Sequence, residues 1–169
     1  MEDKRPELKV LIGIPGSGKS HWIWKNKLHL SHFIVSPDNI RRDMFGDITD
    51  QSNNVKVFDI ALGMVIAALK LNKNVILDAT NCNTQYRREF LKDMPYCKMS
   101  AYLFDIQPQI ASDRISKDIR NNKLRSNVPE SVVYRMYGEY LFTKNVIKKE
   151  FSNSQIKIIT EIDEPKIEE

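Results

Sequence analysis

Gly13-Ile14-Pro15-Gly16-Ser17-Gly18-Lys19-Ser20 follows directly on the apolar run Leu8, Val10, Leu11, Ile12. It places Gly13 and Gly18 around a short loop, then a lysine and a hydroxyl residue, the pattern of a phosphate-binding loop. Glycine lets a backbone turn sharply and come close to a polyphosphate with no Cβ in the way. Successive N–H groups then point at the phosphate oxygens, and the N-terminus of the following helix adds its positive dipole end. Gly13, Pro15, Gly16, Ser17 and Gly18 are therefore expected to wrap a nucleotide's phosphates. Lys19 would reach the β- and γ-phosphates, and the Ser20 hydroxyl would take a position on Mg²⁺.

Outward from this loop the chain alternates between short apolar runs and helical periodicity. Strands are expected at Leu8–Ile12, Phe33–Val35, Val75–Leu77, Lys98–Phe104 and Ile156–Ile159. Helices are expected over Lys19 to about Leu30, from a Ser36 cap with Pro37 in the first turn, over Asn54–Leu71, Thr84–Met94, from Pro108 to about Asn121, and from Pro129. Trp22 and Trp24 are read as packing residues of the first helix. The pattern implies an α/β fold: a central, mostly parallel five-stranded sheet with helices on both faces, and a helical lid. One domain over residues 1–160 is expected, with a flexible acidic tail over 161–169. Ligands in such folds gather at the carboxyl ends of the strands. The loop at 13–20, Asp38 and the Asp78–Asn81 group all lie just past strand ends.

Composition is that of an ordinary globular chain of 169 residues, 41% hydrophobic and 28% charged. The net charge of +4 hides a more basic body behind the acidic tail, where Glu161, Asp163, Glu164, Glu168 and Glu169 are opposed by Lys166. A basic body suits a polyanionic substrate without specifying one. Cys82 and Cys97 lack metal-ligand spacing, and His21, His29 and His32 have no Cys group to complete a zinc site. No apolar run is long enough to cross a membrane, and residues 1–6 lack the core of a signal peptide, so a cytoplasmic location is expected.

A kinase needs a base for the acceptor hydroxyl and cations that hold the acceptor and the transferring phosphoryl. Asp38 fits the first role. Arg41, three residues on, shares its helix face, and the pair could orient a hydroxyl while gripping an adjacent phosphate. Asp78, closing an apolar strand, suits Mg²⁺ through water, with Thr80 and Asn81 near the acceptor. Arg114, Lys117, Arg120, Lys123 and Arg125 form a basic segment able to close on a polyphosphate.

These pieces resemble the 5′-hydroxyl polynucleotide kinases of the bacteriophage type, within the small P-loop kinases. The matching stretches are Gly13 to Ser20, Ser36-x-Asp38-x-x-Arg41, Asp78-x-Thr80-Asn81 with Arg87-Arg88, and Arg120 to Pro129 followed by Met136-Tyr137, so that similarity spans Val10 to Tyr140. The resemblance implies transfer of the ATP γ-phosphate to a nucleic-acid 5′-OH, with Asp38 as general base, assisted by Lys19 and Arg120. Arg41 would hold the phosphate on the 3′ side of the accepting nucleotide. Arg120 and Arg125 would clasp the donor, with Leu124 the rival to Arg125 because the lid is short. Thr80, Asn81, Arg87, Val128 and Pro129 would lie at the acceptor, and Ser20 would hold Mg²⁺ directly, with Asp38 and Asp78 through water. A separate phosphatase or ligase is the implied partner. Other readings are transfer to a hydroxymethylated base or a small nucleoside-like hydroxyl, and an ATP-gated binding module without turnover.

Overall fold

The computed structural model describes residues 3–49 and 51–160; the acidic tail lies outside the described residues. Five strands form the sheet: β1 (Glu7–Ile12), β2 (Phe33–Val35), β3 (Val75–Leu77), β4 (Lys98–Phe104) and β5 (Ile156–Ile159). Their spatial order is β2-β3-β1-β4-β5, and every pairing is parallel. β1 sits in the centre and pairs along its full length with β4, Glu7 opposite Lys98 and Ile12 opposite Leu103. A central parallel strand is buried on both faces, and this is why Leu8 to Ile12 reads as a nearly continuous apolar run. The helices are α1 (Lys19–Lys25), α2 (Pro37–Phe45), α3 (Asn54–Lys70), α4 (Thr84–Leu91), α5 (Pro108–Arg120) and α6 (Glu130–Val146).

Side-chain alternation along the strands splits the core into two unequal layers. Leu8, Val10 and Ile12 of β1, with Val75, Leu77, Ala101 and Leu103, face a large cluster completed by Ile40, Val57, Ala61, Val65, Ala111, Ile115, Val133 and Tyr140. Leu11, Ile76, Tyr102 and Phe104 face the opposite way, against Ile23 and Trp22 of α1 and Leu28 beyond it. Helices therefore cover both faces, but α1 alone among them contributes to the second layer.

Three local expectations change. α1 stops at Lys25, because Asn26 folds its side chain back onto the Trp22 carbonyl at 2.8 Å and Lys27 takes a left-handed conformation with φ 54°. A 3-10 turn over Leu28–Leu30 completes the segment. Trp22 packs as expected, its ring centroid 5.0 Å from Tyr102 and 5.6 Å from Phe104. Trp24 does not: it is 63% exposed and lies on the His29 ring, centroids 3.9 Å apart. The lid is helical to Arg120 and irregular over residues 121–129.

Ser36 caps α2 by accepting from the Asn39 amide at 3.4 Å, and Asn83 caps α4 by accepting from Tyr86 at 3.0 Å. Gly63 lies in mid-α3 on its solvent side, and a Cβ there would meet nothing within 4 Å. Gly63→Ala removes backbone entropy from the unfolded chain at no steric cost, so it should raise unfolding free energy by about 0.5–1 kcal/mol. Leu77→Ala, in the buried heart of β3, should lower it by about 2–5 kcal/mol; paired urea titrations read both.

Candidate active site

The loop between β1 and α1 is built for close approach. A Cβ on Gly13 would fall 2.6 Å from Ser17 Oγ and 2.9 Å from Phe104 Cβ. Gly16 has φ +79°, and a Cβ there would fall 2.5 Å from the Ala111 carbonyl oxygen of α5. Inside this loop, Lys19 is buried and its Nζ donates to the Gly13 carbonyl at 2.9 Å, the Ile14 carbonyl at 3.0 Å and Ser17 Oγ at 3.3 Å. Burial holds the Lys19 pKa below the ordinary lysine value, against the raising influence of the Asp78 and Asp38 carboxylates, while Arg125 adds to the lowering. Asp38, Asp78 and Arg125, from three separate segments, thus converge electrostatically on one ammonium. An anionic ligand in the loop would relieve the desolvated cation.

Asp78 closes β3, its amide donating to the Val35 carbonyl at 2.8 Å. Its Oδ2 accepts from Ser20 Oγ at 2.8 Å. Burial raises the Asp78 pKa, with Lys19 and Ser20 opposing and the Asp38 charge adding to the rise. Hydroxyl and carboxylate side by side, both hard oxygen donors, fit a cation that otherwise relies on a ligand's phosphates. Among the described residues no group of three or more His, Cys, Asp or Glu could hold a metal unaided. The donor set suits Mg²⁺ bound together with a nucleotide, not a self-sufficient metal cage.

Asp38 in the first turn of α2 is half exposed, and its Oδ1 accepts from Arg41 Nη1 at 2.7 Å. Arg41 itself is buried, with Nη2 donating to Asn54 Oδ1 at 2.6 Å and Nε buried without a partner. The lid reaches back over this region: Ser126 Oγ donates to the Ile48 carbonyl at 3.2 Å. Arg125 Nη1 donates to Asp118 of α5 at 2.6 Å, Lys123 pairs with the same carboxylate at 3.1 Å, and Arg125 Nε is buried without a partner. Val128 is partly buried against the main core, and Pro129 is exposed as the residue before α6.

The structure brings together the loop at 13–20, Asp38 with Arg41, and Asp78, with Arg125 near enough for its charge to act on Lys19. Thr80 and Asn81 are fastened behind the loop: Gly13 N–H donates to the Thr80 carbonyl at 2.9 Å, and Asn81 Nδ2 donates to the Leu11 carbonyl at 2.7 Å. Arg120 is exposed at the far end of α5. Arg87 corrects the sequence reading. Its side chain has no exposed surface and is bound to Glu150, so no acceptor can touch it. Two residues, Asn54 and Asp118, escape assignment from sequence, and Arg114 is expected there only within the basic segment over 114–125. Arg114 lies between Ala111 and Ile115, which press on Gly16, and its Nε is buried without a partner. Asn54 and Asp118 anchor Arg41 and Arg125. The basic run that begins at Arg114 is the sequence signal that points to it.

The raised Asp78 pKa has a measurable sign. A carboxyl that binds its proton more tightly when folded makes stability fall as pH rises from its unfolded value of 3.8 through the folded one. Asp78→Asn lacks that group. In denaturant titrations of the ligand-free proteins, wild type should lose ground to Asp78→Asn as pH rises above about 4. A gap that stays level with pH would remove the desolvation of Asp78 as its cause.

A family model described as an AAA domain matches residues 8–140. No curated protein sequence matches the chain. Among solved structures, one described as the Pnkp1/Rnl/Hen1 RNA repair complex superposes with TM-score 0.70 at 24% identity, over 89% of this chain and 48% of that one. A second, of the Pnkp1/Rnl/Hen1 complex, gives 0.56 at 28% identity over 68% and 40%. A gluconokinase from Sinorhizobium meliloti 1021 gives 0.57 at 15% identity over 96% and 86%. The chain thus spans about half or less of the repair-complex chains and most of a small-molecule kinase. With the phosphate loop, the parallel sheet and a family match that runs from Leu8 to Tyr140, the chain belongs to the AAA domain family and carries its nucleotide-type P-loop.

Proposed function

We propose that this enzyme transfers the γ-phosphate of ATP to a hydroxyl of nucleic acid, most specifically the 5′-OH end of DNA or RNA. The observation that carries the reading is the Asp38–Arg41 pair, a half-exposed carboxylate 2.7 Å from a buried guanidinium, within electrostatic reach of Lys19. A carboxylate beside a cation suits an acceptor that presents a hydroxyl with a phosphate close by, as the end of a polynucleotide does. The likeness to chains of the Pnkp1/Rnl/Hen1 complex, one of them described as an RNA repair complex, is in keeping with nucleic acid as the substrate class, and a separate phosphatase or ligase is the partner proposed with it.

In this mechanism the N–H groups of Gly16 and Gly18 and the Lys19 ammonium hold the donor phosphates. Ser20 and Asp78 would hold Mg²⁺, which when bound neutralises phosphate charge. Asp38 accepts the proton of the acceptor hydroxyl, and Arg41 grips the neighbouring phosphate, exchanging its hold on Asp38 for the substrate. Arg114 and Arg125, each with a buried Nε lacking a partner, supply cations to the transferring phosphoryl. Arg120, exposed at the end of α5, reaches the donor only if the lid closes further. Val128 and Pro129 border the acceptor, with the Thr80 side chain beside them, while the Asn81 amide stays on the Leu11 carbonyl.

Asp38→Ala should lower kcat at least about 100-fold while ATP still binds. Arg114→Ala should cost more in kcat than Arg120→Ala, by about 10-fold or more; equal losses would return the donor role to Arg120. The acceptor is read by incubating γ-labelled ATP with 5′-OH oligonucleotides, 5′-phosphorylated ones, DNA with hydroxymethylated bases, free nucleosides and gluconate. Label confined to 5′-OH ends supports the proposal. Label on blocked DNA or on a small hydroxyl compound overturns the acceptor but keeps the chemistry, the second outcome being the one the gluconokinase likeness favours.

A further inference from the structure

Arg87, in the first turn of α4, is fully buried and bonded along its whole guanidinium. Its Nε donates to Glu150 Oε2 at 2.8 Å and Nη2 to Oε1 at 2.7 Å, a two-pronged pairing. Nη1 donates to the Asn81 carbonyl at 2.6 Å and to Thr143 Oγ1 at 3.0 Å, and Nη2 also reaches Thr84 Oγ1 at 3.4 Å. A guanidinium has five N–H groups, and each has an acceptor here. Thr143 of α6, fully buried, donates in turn to the Cys82 carbonyl at 2.7 Å. Two successive carbonyls of the loop that leaves β3 are therefore caught from α4 and α6.

The other side of that loop is caught by β1 and the phosphate loop. Gly13 N–H donates to the Thr80 carbonyl at 2.9 Å, Asn81 Nδ2 donates to the Leu11 carbonyl at 2.7 Å, and Asn81 itself is held left-handed at φ 49°. At its start, Asp78 accepts from Ser20 at 2.8 Å. The loop over 78–82 is a splice with one end on the nucleotide side and the other on Arg87 and Thr143. A buried ion pair is a poor way to gain stability, since apolar residues of the same volume often do as well. A planar fork aimed at a loop carbonyl fixes direction, which apolar packing does not.

We propose that Arg87, with Thr143, is a positioning residue for phosphoryl transfer. By gripping the Asn81 and Cys82 carbonyls it sets the height of the 78–82 loop, and thereby keeps Asp78 on Ser20 and Thr80 on the Gly13 amide. The inference rests on the kinase-type nucleotide site and is independent of which hydroxyl is phosphorylated.

Arg87→Lys keeps the charge but loses the fork, Thr143→Val keeps the shape but loses the hydroxyl, and Val65→Ala serves as a core control of lowered stability. Amide exchange by NMR compares Gly13, which bonds to the loop, with Val10, which lies inside the β1 ladder. Calorimetry measures binding of a non-hydrolysable ATP analogue with Mg²⁺, which needs no acceptor. In both Arg87→Lys and Thr143→Val, Gly13 should exchange about 10-fold faster relative to Val10, and the analogue should bind several-fold more weakly than to Val65→Ala. Equal acceleration at Gly13 and Val10, no change at Gly13, or analogue affinity no weaker than in Val65→Ala would each reduce Arg87 to a scaffold residue. Should Arg87→Lys not fold, Thr143→Val decides alone.

Discussion

A lysine ammonium cannot sit out of water without oxygen atoms around it, and Lys19 sets the terms for the upper edge of the sheet. Two loop carbonyls and a serine hydroxyl surround its Nζ, so the loop must curl tightly enough to aim them inward. That curl leaves no room for side chains at Gly13 and Gly16, where Phe104 and α5 press from outside. Burial pushes the Lys19 pKa down, and the carboxylates of Asp78 and Asp38 oppose that push. Strand order follows the same need: β1 lies at the centre so that its loop can meet β3 on one side and α5, which follows β4, on the other.

The balance is poised for ligand exchange. In the ligand-free protein the cations of the site hold internal partners: Arg41 has Asp38 and Asn54, Arg125 has Asp118, and Lys19 has its own loop. The Arg41–Asp38 pair meets water on its Asp38 side, whereas Arg87 is sealed against Glu150. Arginines bonded within the site and an arginine sealed behind it thus have different surroundings.

Much of the fold was legible because parallel strands bury both faces and print themselves as apolar runs closed by Gly13, Ser36, Asp78 and Asp105. Helix starts were legible where Ser36 and Pro37 announced one. What failed needed three dimensions. Nothing in the local pattern says that Asn26 will turn back on Trp22, or that Trp24 will face water. An arginine's fate is equally hidden. Arg87, Arg114 and Arg120 are alike in sequence, yet one is sealed inside, one stands beside the nucleotide loop and one is exposed, because burial of a long cationic chain depends on which carboxylates and carbonyls the distant chain delivers.

The wholly parallel order of the sheet bears on how the chain comes off the ribosome. β1, β2 and β3 are contiguous in space and are all made by Leu77, so this half of the sheet can pair early. The Ala111 carbonyl and the Ile115 side chain that press on Gly16 belong to α5, and Glu150 that completes the Arg87 fork is made later still. During vectorial synthesis the nucleotide loop is therefore an early-made turn waiting for late-made walls, and a nascent chain halted before α5 carries the binding sequence without the cradle.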